Sequence, residues 1–218
     1  MALAIFDLDE TLISADSDQA WGDFVAKRGL VDEAEHRRQS LAFYHDYKNG
    51  ELDIDAYMRF SCTVLAMYDM DTLEALRAEF FEERVKPLLL PRASELVDRH
   101  RDQGDCPIVV TATIEFITRP IVSYFGIEHL IAPTPEVRNG RYTGEVTGTP
   151  SFREGKVTRM QEWLEHSGET LSGSYFYSDS RNDLPLLELV DHPVAVDPDP
   201  VLRAVAEARR WPVISLRE

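Results

Sequence analysis

Cysteine is scarce in this sequence: Cys62 and Cys106 are the only two in 218 residues. They form no C-x-x-C pair and no zinc-type Cys/His spacing, so neither a disulfide framework nor a structural zinc organises the fold, and a reducing compartment suits the chain. Long hydrophobic runs are missing too. Ala2-Leu3-Ala4-Ile5-Phe6 stops at Asp7, too short for a signal-peptide core and with no basic stretch before it. Nothing else approaches the roughly 18 apolar residues of a membrane-crossing helix, and a cytoplasmic location is expected. Positive charge is short: 23 Lys and Arg against 39 Asp and Glu leave a formal charge of −16. Such a surface repels nucleic acid and anionic lipid, which excludes both as general partners. It repels a phosphorylated metabolite as well, unless a local cation reverses the field. Nucleotide motifs are absent. No G-x-G-x-x-G occurs, and Gly148…Gly155-Lys156-Val157 is two residues too long for a phosphate loop, with Val157 where a hydroxyl would be needed.

What is present is alternation. Apolar runs at Ala2–Phe6, Pro107–Thr111, His129–Ala132, Ser174–Ser178, Pro193–Val196 and Pro212–Ser215 read as buried strands. Between them lie helical patterns at Ala93–Gln103, Ile114–Phe125, Gly155–His166 and Leu184–Val190, the first three followed by Gly104, Gly126 and Gly168 as stops. Parallel strands need crossover helices, so the fold class is α/β, a doubly wound parallel sheet. Asn139-Gly140 before Arg141–Val146 predicts a small hairpin off that sheet. From Ser14 to Lys86 the pattern is helical throughout, with Trp21, Phe24, Leu41, Phe43, Tyr44, Tyr57 and Phe60 at three-and-four spacing. This predicts an all-α insertion after the first strand, residues 14–86, with residues 1–13 and 87–218 forming the α/β core. Bundle packing is the expected role of its aromatics, with pocket lining the alternative for Trp21 and Tyr44.

Ligands in open α/β sheets bind at the carboxyl ends of the strands. Those positions carry Asp7 and Asp9 after the first strand, Thr111 after the second, Lys156 at a helix start, and Asp179 with Asp183 after a later strand. Alone, D-x-D is a turn or cap, Thr111 a strand residue and Lys156 a solvated helix residue. Together they gather carboxylates, a hydroxyl and an ammonium on one crevice. Crowded carboxylates repel unless a hard cation sits among them, and all-oxygen ligation suits Mg²⁺.

With these residues the chain resembles the haloacid dehalogenase-like (HAD) superfamily. The resemblance rests on Asp7-Leu8-Asp9-Glu10-Thr11-Leu12, Thr111-Ala112-Thr113, Lys156 and Ser178-Asp179-Ser180-Arg181-Asn182-Asp183. It is nearest to the phosphoserine-phosphatase-like and histidinol-phosphatase-like branch, subfamily IB, and covers the chain, since such enzymes carry a helical cap where residues 14–86 lie. It implies a Rossmann-like core and a Mg²⁺-dependent phosphatase of amino-acid metabolism acting on a small amino-bearing phosphate ester, phosphoserine or histidinol phosphate. Asp7 is then the nucleophile that forms an aspartyl-phosphate and Asp9 the general acid and base. Asp7, the Asp9 carbonyl and Asp179 hold the metal. Thr111, Ala112, Lys156 and Asn182 bind phosphate, and Asp183 supports them. In the cap, Asp16 falls where phosphoserine phosphatases place a glutamate for the substrate ammonium, and Arg59 where they place the carboxylate-binding arginine, the equal alternative for Arg59 being an ordinary exposed helix residue. Ser178 and Thr111-Ala112-Thr113 depart from the branch's glycine and Ser-Gly-Gly, the latter bearing on substrate. The rival readings are a non-hydrolytic aspartyl-phosphate switch and a phosphotransferase of the same fold. Asp9 argues against a switch, which needs a long-lived acyl phosphate.

Overall fold

Leu3-Ala4-Ile5-Phe6 has no polar face, and a strand of that kind needs cover on both sides. In the computed structural model, which describes residues 2–217, it forms β1 (Leu3–Phe6) with all four side chains buried. Ala4 and Phe6 join one apolar cluster and Leu3 and Ile5 another, one on each face of the sheet. Four helices follow: α1 (Ser17–Lys27), α2 (Glu33–Asn49), α3 (Ile54–Met67) and α4 (Met70–Phe80). Each begins at an aspartate whose carboxylate takes a backbone amide of the first turn: Asp16 from Gln19, Asp32 from Glu35, Asp53 from Ala56 and Asp69 from Thr72. Part of the acidity thus starts helices. The chain returns through a π-turn over Phe81–Val85, and the outgoing and returning segments pair at a neck. There Ile13 bridges Leu89, and Ser14 N donates to Leu88 O at 2.9 Å.

The remaining elements alternate: α5 (Pro91–Asp102), β2 (Cys106–Val110), α6 (Glu115–Tyr124), β3 (His129–Ile131), then β4 (Thr134–Arg138) with β5 (Arg141–Thr147). After these come α7 (Glu154–Ser167), β6 (Tyr175–Ser178), α8 (Leu184–Leu187), β7 (His192–Val196), α9 (Pro200–Arg209) and β8 (Val213–Ile214). Six strands form one parallel sheet in the order β3-β2-β1-β6-β7-β8. The fold is thus the expected α/β one, with a helical cap after the first strand. β4 and β5 make a separate antiparallel hairpin that turns at Asn139 (φ 50°) and Gly140 (φ 74°), the two consecutive left-handed residues that an Asn-Gly turn supplies.

Two helices differ from expectation. α8 ends at Leu187 rather than Val190, because Leu189 N bonds back to Leu186 O and tightens the turn. α9 was not foreseen, although Asp199 caps it through Val201 and Leu202 and Pro200 stands at its first position. α2 also departs from the bundle reading: none of its side chains is buried, and Leu41 is 56% exposed. Trp21 packs as expected, stacked on Phe24 and edge-on to Phe80 and to Phe116 of α6 at 5.2–5.6 Å. Among the described residues, no helix is long and apolar enough to cross a membrane.

Candidate active site

β2, β1 and β6 are neighbours at the middle of the sheet, so residues just past their carboxyl ends meet in one crevice. Asp7 follows β1, Thr111 follows β2 and Asp179 follows β6. After Asp9 the chain turns sharply. Glu10 takes a left-handed conformation (φ 57°), and the amides of Thr11, Leu12 and Ile13 all return to Leu8 O. Thr11 is thereby aimed inward. Its hydroxyl donates to Asp179 Oδ1 at 3.2 Å and accepts from Asp179 N at 3.1 Å, tying the first acidic loop to the last.

Lys156, in the first turn of α7 and 3% exposed, bridges two carboxylates. Its Nζ lies 2.7 Å from Asp7 Oδ1 and 2.8 Å from Asp183 Oδ2, and Ser178 Oγ donates to the same Asp183 oxygen at 2.7 Å. Ser178 therefore does work that a glycine there would not. Asp9 accepts from Ser17 N at 2.7 Å and from Thr113 Oγ1 at 2.8 Å, so the second position after the Thr111 hydroxyl orients this carboxylate. Thr111 is held by its carbonyl, which accepts from Ser151 Oγ at 2.6 Å. Asn182 Oδ1 accepts from Arg153 Nε at 3.2 Å, and the amide end has no protein partner among the described residues.

The electrostatics follow from burial. Desolvation holds the Asp7 carboxyl up at about 7 against the pull of Lys156. Burial, and then the charge of Asp7, raises Asp179 well above the ordinary range. Desolvation alone would lower Lys156, but Asp183 and Asp7 hold its ammonium above its usual value. The pocket is short of positive charge. Asp7 Oδ2 and Asp179 Oδ2 accept from no described residue, and both side chains line the crevice. Among the described residues no three His, Cys, Asp or Glu side chains form a metal cluster. Two carboxylates with the Asp9 carbonyl and water are nevertheless a donor set that suits Mg²⁺, which keeps much of its hydration.

The crevice opens into a cavity of about 830 Å³, mouth included, beneath α2. Asp7, Asp9, Thr111, Ala112, Lys156, Asp179, Asn182 and Asp183 all line it, as does Asp16 from the start of α1. Arg59 does not. It is exposed on α3, and successive helical residues step by about 100°, so Arg59 points away from Tyr57, which lines the cavity. The carboxylate-binding arginine expected at this position is therefore absent from the wall. Tyr44 lines the cavity instead of packing in a bundle core, because α2 lies over the opening. Asp18 was missed. It is 8% exposed, lines the cavity, and takes Tyr57 Oη at 2.6 Å and Ser61 Oγ at 3.2 Å on Oδ2. A third carboxylate shortly after Asp9 and Asp16 was the available signal.

Comparison with known proteins agrees with this geometry. A family model described as haloacid dehalogenase-like hydrolase matches residues 4–188, and the chain belongs to that family. Within it the chain is a phosphatase. A histidinol-phosphatase of Neisseria meningitidis is 48% identical over 219 residues, covering 99% of each chain. A probable phosphatase of Mycobacterium tuberculosis is 35% identical over 214 residues, covering 97% of this chain and 74% of that one. A Bordetella pertussis protein of unknown function superposes with a TM-score of 0.93 at 47% identity, over 99% of this chain and 98% of the other. A phosphoserine phosphatase structure shares the fold, with a TM-score of 0.70 at 17% identity, over 100% of this chain and 94% of that one.

Proposed function

We propose that the chain hydrolyses a small phosphate ester bearing amino and imidazole groups but no carboxylate, namely histidinol phosphate, and that residues 14–86 act as the cap that selects it. The carrying observation is the charge of the cavity wall away from the phosphate end. Among the described residues the wall offers two lysines and no arginine, and both lysines are engaged: Lys156 with Asp7 and Asp183, and Lys48 with Glu10 at 3.4 Å. Asp16, Asp18 and the rings of Phe43, Tyr44 and Tyr57 line the cavity as well, among neutral residues such as Gln19, Ser40 and Leu52. A carboxylate finds no free guanidinium there, whereas an ammonium finds two acids. The 48% identical relative carries the corresponding name.

Asp7 attacks phosphorus and forms an aspartyl-phosphate, while Asp9 protonates the departing alkoxide. Asp9 then takes a proton from water as that water attacks phosphorus, releasing phosphate and restoring Asp7. Lys156, the Thr111 hydroxyl, the Ala112 amide and Asn182 hold the phosphoryl oxygens, and Asp183 positions Lys156. The Asp7 carboxylate, the Asp9 carbonyl and Asp179 would hold Mg²⁺, which supplies positive charge between the nucleophile and the dianion. Asp9, close by and held by two donors, favours hydrolysis over a stable phosphorylated switch.

A phosphate-release screen over phosphorylated amino alcohols, amino acids, sugars and nucleotides, with and without EDTA, tests this reading. Histidinol phosphate should give the highest kcat/KM, and chelation should abolish release until Mg²⁺ is restored. Preference for phosphoserine, or full activity in EDTA, refutes it.

A further inference from the structure

Asp18 sits in the first turn of α1 with one oxygen engaged and one open. Tyr57 and Ser61, both on α3, donate to Oδ2 and fix the plane of the carboxylate, while Oδ1 accepts nothing from any described residue. Oδ1 is not among the buried polar atoms cut off from solvent, so it is open to the cavity that Asp18 lines, and a ligand N–H there could bond to it. The flat walls beside it, Phe43, Tyr44 and Tyr57, suit an aromatic ring. We infer that Asp18 is a specificity-determining residue, accepting a hydrogen bond on Oδ1 from the ring N–H of an imidazole whose phosphate end lies at Asp7 and Lys156. Asp16 is then left for the ammonium. This assignment rests on the proposed function and deepens it.

The test compares L-histidinol phosphate with L-phenylalaninol phosphate, which keeps the amine, the phosphate and a flat ring but has no ring N–H. In the asparagine variant D18N, the side-chain oxygen keeps Tyr57 and Ser61 and the NH₂ turns toward the cavity, so a ring N–H loses its charged acceptor and the ring can bond there only as the tautomer, or in the flipped pose, that presents its unprotonated nitrogen. The full-length enzyme with Mg²⁺ should prefer histidinol phosphate in kcat/KM by tenfold or more, and D18N should lose about tenfold or more of that ratio. Tyr57→Phe, which frees one of the two bonds that orient Asp18, should lower the same ratio by less. A thermal melt of each variant confirms folding. A wild-type preference that survives unchanged in both variants overturns the role of Asp18 and leaves the substrate standing. Wild-type enzyme that hydrolyses phosphoserine but not histidinol phosphate overturns the substrate, and this assignment with it.

Discussion

Replacing Asp18 by asparagine should make the protein more stable, although it removes a charge from the heart of the cap. Burial pushes the Asp18 carboxyl from 3.8 up to about 6, helped by the charge of Asp9 and opposed by the bonds from Tyr57 and Ser61. That rise is about 2 units, and at about 1.4 kcal/mol per unit the ionised side chain costs the fold up to about 3 kcal/mol. Below pH 3.8 the group is protonated in both the folded and unfolded chain and costs nothing. Between 3.8 and about 6 the unfolded chain gives up its proton first, so the cost grows as pH rises; above 6 it is complete. Asparagine does not titrate and retains an acceptor for both hydroxyls. The gap between D18N and wild type should thus be small near pH 4 and approach about 3 kcal/mol by pH 7.5, roughly 6–12 °C in Tm for a chain of this size. Urea titrations and thermal melts of both proteins across that range measure it. A D18N protein no more stable than wild type at pH 7.5, or a gap that does not narrow toward pH 4, refutes the reasoning.

Asp7→Asn should abolish phosphate release while circular dichroism stays native, since Lys156 keeps Asp183 as a partner. Lys156→Met should lose activity and also lower the urea midpoint, because Asp7 and Asp183 are left buried without a counter-charge, a loss of roughly 3–5 kcal/mol. An unchanged midpoint would show that Lys156 is dispensable to the fold. Arg59→Ala should leave kcat/KM unchanged for every ester tested, phosphoserine included, as the side chain is exposed and outside the cavity; a selective rise in KM for phosphoserine would put it back in the site.

The α/β core was readable because local and global signals coincide there. Apolar runs such as Leu3–Phe6 and Ile108–Val110 are buried on both faces, and the polar residue that ends each run stands at a strand's carboxyl end. Asp7, Thr111 and Asp179 could therefore be placed without knowing the strand order. The cap was read less well, because a helical side chain's role depends on which way the helix is turned. Arg59 was matched by its place along the chain, yet Met58, Ser61, Cys62 and Leu65 already mark the inward face of α3, and Arg59 lies off that stripe. Tyr44 and Leu41 share an apolar pattern whose partner is a cavity and solvent rather than a core, and no periodicity separates those cases. Asp18 was hidden for another reason. An acid in a first helical turn is ordinary on a surface, and only the approach of Tyr57 and Ser61 from a distant helix buries it.

The acidity of the chain acquires a direction from this arrangement. At the sheet end, Asp7 and Asp183 share one lysine and burial with the charge of Asp7 raises Asp179, a setting that would favour a divalent cation and through it a phosphate dianion. At the cap end, burial followed by the charge of its neighbour Asp18 raises Asp16 to about 7, and Asp18 itself is raised, with no cation beside either among the described residues. An incoming ammonium or imidazolium would relieve that repulsion, so the same carboxylates that weaken the empty fold strengthen the occupied one. A carboxylate-bearing ester would add a further negative charge to this end and gain nothing there. On this reasoning substrate choice comes as much from repulsion as from fit, and raising the salt concentration should erode discrimination against phosphoserine while leaving the preference for an imidazole over a phenyl ring largely intact. Competition assays in low and high salt would show whether the two forms of selectivity separate in this way; a parallel decline of both would refute the division between charge at the cap end and hydrogen bonding at Asp18.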